Sequence, residues 1–531
     1  MSPTIHPVEL SKHNTLASLW IAVNGVVYDF TEFAPTHPGG LSVLLQYAGQ
    51  DATAAYNAVH SASLIKAILP ASKHLGRLPQ PSSPEPPAKP AKPANQTKPP
   101  LSSMISSHDF VQGAHSFLPA KTLAFISSAA TDCHTHRRNN STYAEITLRP
   151  RVLVDVSATV SLATTMLGQS VASPIYVAPT SLGKTVHPEG EKEIARACRK
   201  LGGIAQVVST SASFSVDDVV SAWKEEDGGS SSTTAAAAAV PASSSPPVFL
   251  QLYVDKQRAN TVRLLTSPTI RSNIKGVFLT VDAPVPGKRE ADERVPTHAS
   301  PSSSSSASLS PSSLSSEAAA PVVPVTTPMA PPTSPTADSS GAALGRLMAS
   351  YISASLTWGE TLPWLRSLLP RGVPTVVKGI QTAADAVRAV RGGAAAIVLS
   401  NHGGRSLDTS PAPVLVLLEL QRCCPDVFSR AEVYVDGGVA RGTDAFKALC
   451  LGARAVGVGR GVMYALGWGE EGVRRYLQIL NDELVTTMKM CGVTRLEDLH
   501  PGLVNTRAVD HLVPEALEED HPYAKWRRGK L

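Results

Sequence analysis

Residues 396–405 read AIVLSNHGGR. The run Ala396–Ser400, with Ile397 and Val398 β-branched, is short for a helix and suits a strand buried on both faces. It breaks off into Asn401 and His402, and Gly403-Gly404 then permit a tight turn before Arg405. A histidine titrates near neutrality and is the usual general base, while an arginine fork matches a carboxylate. Reactive groups therefore gather where an apolar strand ends.

Seven other runs follow the same grammar: Pro174–Ala178, Ile204–Ser209, Val248–Val254, Val277–Val281, Thr375–Lys378, Glu432–Val435 and Ala455–Val458, with helical stretches between them. Eight strands alternating with helices suit a (β/α)8 barrel or a doubly wound sheet. The strand ends decide between them. They carry Pro179-Thr180, Ser209-Thr210, Gln251 and Tyr253, Thr280 and Asp282, Lys378, Asn401-His402, Asp436-Gly437-Gly438 and Gly459-Arg460. A barrel brings all of these to one face, whereas an open sheet scatters them. The expected fold is thus α/β, a TIM barrel, preceded by a small α+β domain.

At the last two strands, Gly437, Gly438, Gly457, Gly459 and Gly461 let backbone N–H groups approach an anion, and Arg460 adds charge. Asp282 can pair with His402 and favour its protonated form. Lys378 ends an apolar strand. It is either a snorkelling surface lysine or a cation for a negatively charged reduced cofactor.

The chain has 531 residues, too many for one core. Residues 79–100 read PQPSSPEPPAKPAKPANQTKPP, a proline density that favours extended polyproline II and a reach of about 70 Å at about 3.1 Å per residue. The expected division is a small domain at 1–78, a linker at 79–100 and a large domain at 101–515. Asp227–Pro247 and Pro296–Ser340, rich in Ser, Ala, Pro and Thr, are expected as disordered insertions. The formal charge of +5 is dispersed, which argues against nucleic acid as partner. No apolar run approaches a membrane span of roughly 18 residues. The six cysteines lack zinc-site spacing and are too dilute for a disulfide scaffold. No transit peptide is visible at the start, so the default location is cytoplasmic.

In the small domain, Val26–Phe33 reads as a strand entering a turn. His37-Pro38-Gly39-Gly40 follows, then the helical Ser42–Tyr47 and Ala52–Ala58, and His60 lies 23 residues beyond His37. Pro38 and the paired glycines can hold an imidazole in a loop. Most histidines are surface or satisfied core residues, but two imidazoles facing each other across an apolar pocket saturate a haem iron, which then transfers electrons.

Residues 10–78 resemble a cytochrome b5 domain, with WIAVNGVVYDFTEF, HPGG, AGQDAT and HLGRL in family order. The resemblance implies haem b ligated by His37 and His60. The segments APTSLGK, HPEGE, QLYV, TVDAP, GKREAD, SLTW, VKGI, LSNHGGR, VDGGV and RGTDAFKALCLGA are similar to those of the FMN-dependent 2-hydroxy-acid oxidases and dehydrogenases, from about Arg149 to Gly492. That resemblance implies His402 as base, Asp282 as its partner, Arg405 as clamp for the substrate carboxylate, Arg289 as a second arginine and Tyr253 in the substrate pocket. It also implies flavin contacts from Ala178, Pro179, Thr180, Ser209, Gln251, Thr280 and Lys378, with Asp436, Gly437, Gly438, Gly459 and Arg460 at the FMN phosphate end. The layout resembles the flavocytochrome b2-type L-lactate dehydrogenases. It implies an L-2-hydroxy acid substrate, cytochrome c as acceptor, a homotetramer and a mitochondrial intermembrane-space location.

Several positions depart from the family pattern. Phe125 stands for a tyrosine in Y-Y-x-S-G-A, Ala440 for an arginine in D-G-G-V-R-R-G, Gly461 for the proline of G-R-P and Ser211 for a bulky pocket residue, while the long insertion follows Arg294. Two alternatives stay open: a 2-hydroxy-acid oxidase using oxygen, and a haem-binding electron carrier whose barrel has lost catalysis.

Overall fold

The computed structural model describes residues 3–34, 41–59, 65, 69–79, 98–225, 246–295 and 351–515. The chain forms two compact units, Met1–Gln96 with Pro119–Ser128 and Arg289–Tyr351, and Thr97–Leu118 with Ala129–Lys288 and Ile352–Leu531.

In the first unit, Asn14–Thr15, Ser18–Val23, Val26–Asp29 and His74–Arg77 form an antiparallel sheet in that order. Asn24 and Gly25 take positive φ between the central strands, the backbone that a two-residue hairpin demands. Helices Leu41–Gln46 and Thr53–Val59 occupy the stretches read as helical. Leu19, Ile21, Val23, Tyr28, Phe30, Leu44, Ile65 and Leu69 belong to one buried apolar cluster. Also in this unit, the helix Ala120–Ser127 meets the short helix Glu290–Glu293, and Lys121 Nζ lies 2.8 Å from the buried Asp292 carboxylate.

The second unit is the barrel. Its strands are β1 (Ile175–Val177), β2 (Gln206–Ser209), β3 (Val248–Leu252), β4 (Val277–Thr280), β5 (Thr375–Ile380), β6 (Ala396–Leu399), β7 (Glu432–Asp436) and β8 (Ala455–Val458). They close in sequence order, β8 pairing with β1, and every pairing is parallel. All eight expected strands are present, several of them a residue or two different at the ends. A helix follows each strand, from Gly190–Lys200 after β1 to Gly469–Met490 after β8.

The register sets the site. Ser209 pairs with Gln251, Thr280 with Lys378, and Asp436 with Gly457, so these strand ends lie level with one another. Inside the barrel, Tyr176, Val207, Phe249, Phe278, Val376, Val398 and Tyr434 pack into one core. Gly457 is needed there, because a Cβ would come 2.7 Å from the Tyr176 ring.

The insertion at 296–340 and all of 227–247 except Pro246 and Pro247 lie outside the described residues. Of the proline-rich stretch, Pro79 and residues 98–100 are described, and Pro99 accepts a hydrogen bond from Trp468 Nε1 at 2.8 Å. Among the described residues no helix is long and apolar enough to cross a membrane.

Candidate active site

His402 stands where β6 ends, with φ 59°, followed by Gly403 at 62° and Gly404 at 76°. A left-handed backbone costs a non-glycine residue roughly 1–2 kcal/mol. Local hydrogen bonds hold it: Ser400 Oγ accepts from the His402 N–H at 3.1 Å, and Asn401 Oδ1 accepts from the Gly404 N–H at 3.0 Å. The turn aims the imidazole away from the core, leaving its side chain 26% exposed.

Two groups bracket that ring. His402 Nδ1 lies 2.9 Å from Asp282 Oδ1, and Nε2 lies 3.3 Å from Tyr253 Oη. Burial alone would raise the Asp282 pKa, but the charges of His402 and Lys378 and the hydrogen bond from His402 outweigh it and hold the carboxyl below its usual range. In the neutral tautomer that donates Nδ1–H to ionised Asp282, it is Nε2 that carries the lone pair and faces Tyr253. The arrangement is that of a general base with an orienting carboxylate.

Lys378 is buried within β5. Its Nζ donates to Ser400 Oγ at 2.8 Å and lies 3.1 Å from Asp436 Oδ2, while Ser400 Oγ donates to Asp436 Oδ1 at 2.5 Å. Burial opposes the ammonium, yet Asp436 and Asp282 keep its pKa raised. Lys378 is therefore an interior cation and not a snorkelling surface residue.

Next to it runs a polar row. Ser209 Oγ donates to Gln251 Oε1 at 2.9 Å, and Gln251 Nε2 donates to Thr280 Oγ1 at 3.0 Å. Ala178 is buried at the end of β1, with Pro179 and Thr180 half-buried after it. Beyond β7 and β8, Gly437 and Gly438 take positive φ, and a Cβ at Gly438 would strike the Asn139 carbonyl at 2.1 Å. Gly459 has open space where its Cβ would be. Arg460 Nη1 donates to the Gly403 carbonyl at 2.8 Å, joining the β8 end to the His402 turn. Arg405 continues that turn, half-buried, and its carbonyl would lie 2.2 Å from a Cβ at Gly287.

His37 and His60 are outside the described residues. Arg289 belongs to the first unit, its guanidinium 5.8 Å from the centre of the Phe125 ring. Arg441, beside the departure at Ala440, pairs with Glu483 at 2.6 Å. Two residues went unnoticed in the sequence: Ser400, the junction of Lys378, Asp436 and His402, and Asn139, bonded through its amide to Asn401. Ser400 was visible as a polar residue closing the β6 run. Asn139 gave no comparable signal.

The chain belongs to the FMN-dependent dehydrogenase family, whose model matches residues 114–506. Residues 6–79 match the cytochrome b5-like heme/steroid binding domain. An L-lactate dehydrogenase (cytochrome) of Wickerhamomyces anomalus is 35% identical over 521 residues, 96% of this chain and 82% of the relative. One from Saccharomyces cerevisiae is 36% identical over 94% of this chain and 79% of its own. A peroxisomal (S)-2-hydroxy-acid oxidase of Oryza sativa subsp. japonica is 38% identical over 76% of this chain and 96% of its own. Among solved structures, a mutant flavocytochrome b2 with pyruvate bound matches at TM-score 0.61 and 33% identity, covering 78% of this chain and 90% of that one.

The barrel site fits the FMN that the family implies. The row Ser209, Gln251, Thr280 and Lys378 offers donors and acceptors along one edge, and Gly459 leaves open space near Arg460. In the first unit, Leu44, Ile65 and Leu69 belong to the buried apolar cluster, and haem is the cofactor that the cytochrome b5-like match implies.

Proposed function

We propose that this protein oxidises an L-2-hydroxy acid, with L-lactate as reference substrate, to the 2-oxo acid. Electrons pass by way of FMN and b-type haem to an acceptor such as cytochrome c. The observation that carries the reading is the contact of His402 with both Asp282 and Tyr253 at the barrel face that holds buried Lys378. The lengthwise likeness to two yeast L-lactate dehydrogenases (cytochrome) supports it, since those relatives match across both the small domain and the barrel.

Arg405 binds the substrate carboxylate by its planar fork, and Tyr253 Oη orients the hydroxyl. His402 takes a substrate proton at Nε2, and ionised Asp282 stabilises the imidazolium that results. Bound FMN would supply a two-electron acceptor and bound haem a one-electron carrier, with His37 and His60 as the residues that would hold the haem. Ala178, Pro179, Thr180, Ser209, Gln251, Thr280 and Lys378 would hold the flavin ring and ribityl chain, and Asp436, Gly437, Gly438, Gly459 and Arg460 its phosphate end. Lys378 is kept charged by Asp436 and Asp282 and so favours added negative charge beside it. Arg289, over Phe125, serves as a second carboxylate arginine. The domains are 1–78 for haem, 79–100 as linker and 101–515 for the barrel.

The test is anaerobic mixing of the purified protein with L-lactate under a recording spectrophotometer. Flavin bleaching followed by reduced-haem bands is the expected result. Two bound chromophores that stay unchanged with lactate and with a panel of larger 2-hydroxy acids would overturn it.

A further inference from the structure

We propose that Asn139 is a positioning residue for catalysis, acting through Asn401 to hold the His402–Arg405 turn in its left-handed form. The inference rests on His402 being the base, and it concerns a residue 262 positions from its partner.

Both amides are 1% exposed, so water cannot stand in for a lost partner. Asn139 Nδ2 donates to Asn401 Oδ1 at 2.8 Å, and Asn401 Nδ2 donates to Asn139 Oδ1 at 2.7 Å. Asn401 then spends what remains on the turn. Its Oδ1 also accepts from the Gly404 N–H at 3.0 Å, and its Nδ2 also donates to the Pro411 carbonyl at 2.9 Å. The side chain is fully engaged in one amide orientation, and half of that engagement comes from Asn139.

Without Asn139, the Asn401 amide keeps only its bonds to Gly404 and Pro411, so the side-chain acceptor that assists the Asn401 carbonyl in holding the Gly404 N–H is less firmly fixed against relaxation of three successive positive-φ residues. His402 is the first of those residues and Arg405 follows the last, so base and carboxylate clamp would drift together. Asn139 also bears on the other end of the site. A Cβ at Gly437 would meet its Nδ2 at 3.3 Å, and the neighbouring Asn140 donates to the Gly438 carbonyl at 2.8 Å. The helix His134–Glu145 thus touches both the S-N-H-G-G-R and the D-G-G segments.

The experiment uses the full-length chain with haem and FMN bound, comparing wild type, Asn139→Ala, the near-isosteric Asn139→Asp, Asn401→Ala and the Asn139→Ala/Asn401→Ala double variant. Haem reduction by L-lactate is followed from pH 5 to 9. In Asn139→Ala the flavin and haem spectra should match wild type while kcat falls about 10- to 100-fold, the scale of a small misplacement of catalytic groups. The acid limb of the pH profile should also move, because the base has shifted against Asp282. The double variant should be no slower than Asn401→Ala alone, since the two act as one unit.

A wild-type kcat and pH profile in the folded Asn139 variants, or losses that multiply in the double variant, would overturn the proposal. If Asn139→Ala does not fold, Asn139→Asp carries the test, because it keeps the Oδ1 acceptor and replaces the donor with a carboxylate oxygen facing Asn401 Oδ1. Wild type that never passes electrons from any 2-hydroxy acid sinks the assignment of His402 and this proposal with it. Active wild type with indifferent Asn139 variants sinks this proposal alone.

Discussion

Gly379 lies flush against Asp282. A Cβ at 379 would fall 2.6 Å from the aspartate Cβ and 2.8 Å from its backbone nitrogen, and the φ of +107° is one that side-chain-bearing residues rarely adopt. The missing side chain on β5 is what lets Asp282 sit 2.9 Å from His402 Nδ1.

Gly379→Ala should therefore push Asp282 off the imidazole while Lys378, one residue earlier, keeps the flavin site charged. A fall in kcat on the order of 100-fold with L-lactate is expected, the usual weight of a misaligned base. Steady-state rates per bound flavin check it. An unchanged rate would mean that the Asp282 contact is dispensable.

Ser400→Ala removes the hydroxyl that Lys378, Asp436 and the His402 N–H share. Hydrogen bonds to charged groups contribute about 1.5–3 kcal/mol each. The variant should bind FMN at least tenfold more weakly, read by equilibrium dialysis of the flavin, and should turn over more slowly when saturated.

His136 packs its backbone against Gly404. Burial first, then the charges of Arg460, Arg405 and Arg137, push its imidazole down to about 4. An unfolded histidine titrates near 6.5, so between about 6.5 and about 4 the unfolded chain binds the extra proton. Stability should fall as pH drops through that window. His136→Gln should flatten the slope of melting temperature against pH there, and an unaltered slope would contradict the reading.

Ser211 is small and buried after β2, its N–H donating to Ser209 Oγ at 3.0 Å. By the family pattern a bulky pocket residue belongs there. Ser211→Leu should cut kcat/KM for 2-hydroxy acids with branched or aryl side chains by about 10- to 200-fold relative to L-lactate, the range a pocket gives per methylene-sized change. An equal effect on all substrates would place Ser211 outside the side-chain pocket.

The barrel was readable because its signal is local. Each β-branched run announces its own strand, and the polar residue at its end announces the face that gathers them. His402, Asp282 and Lys378 were visible for the same reason, being reactive types where apolar ones were due. Ser400 sat in plain view but looked like the tail of a strand, since its importance depends on Asp436, 36 residues further on. Asn139 is one polar residue among many on the helix His134–Glu145, and nothing within several turns of it marks the one that meets Asn401. Arg441 shows the reverse: a basic residue beside a glycine-rich loop suggests an anion contact, yet its charge is engaged by Glu483 at the start of the helix Gly442–Cys450.

The Asn139–Asn401 pair also ties the site to the order in which the polypeptide is made. Asn139 leaves the ribosome before any barrel strand, and its partner emerges only after six of them. A nascent chain halted at Thr375 already contains Tyr253 and Asp282 and still has no means of setting the catalytic turn. The catalytic turn is thus set late, when the sixth strand delivers Asn401 to an amide made near the start of the domain, and its bond from Arg460 comes only with the eighth strand.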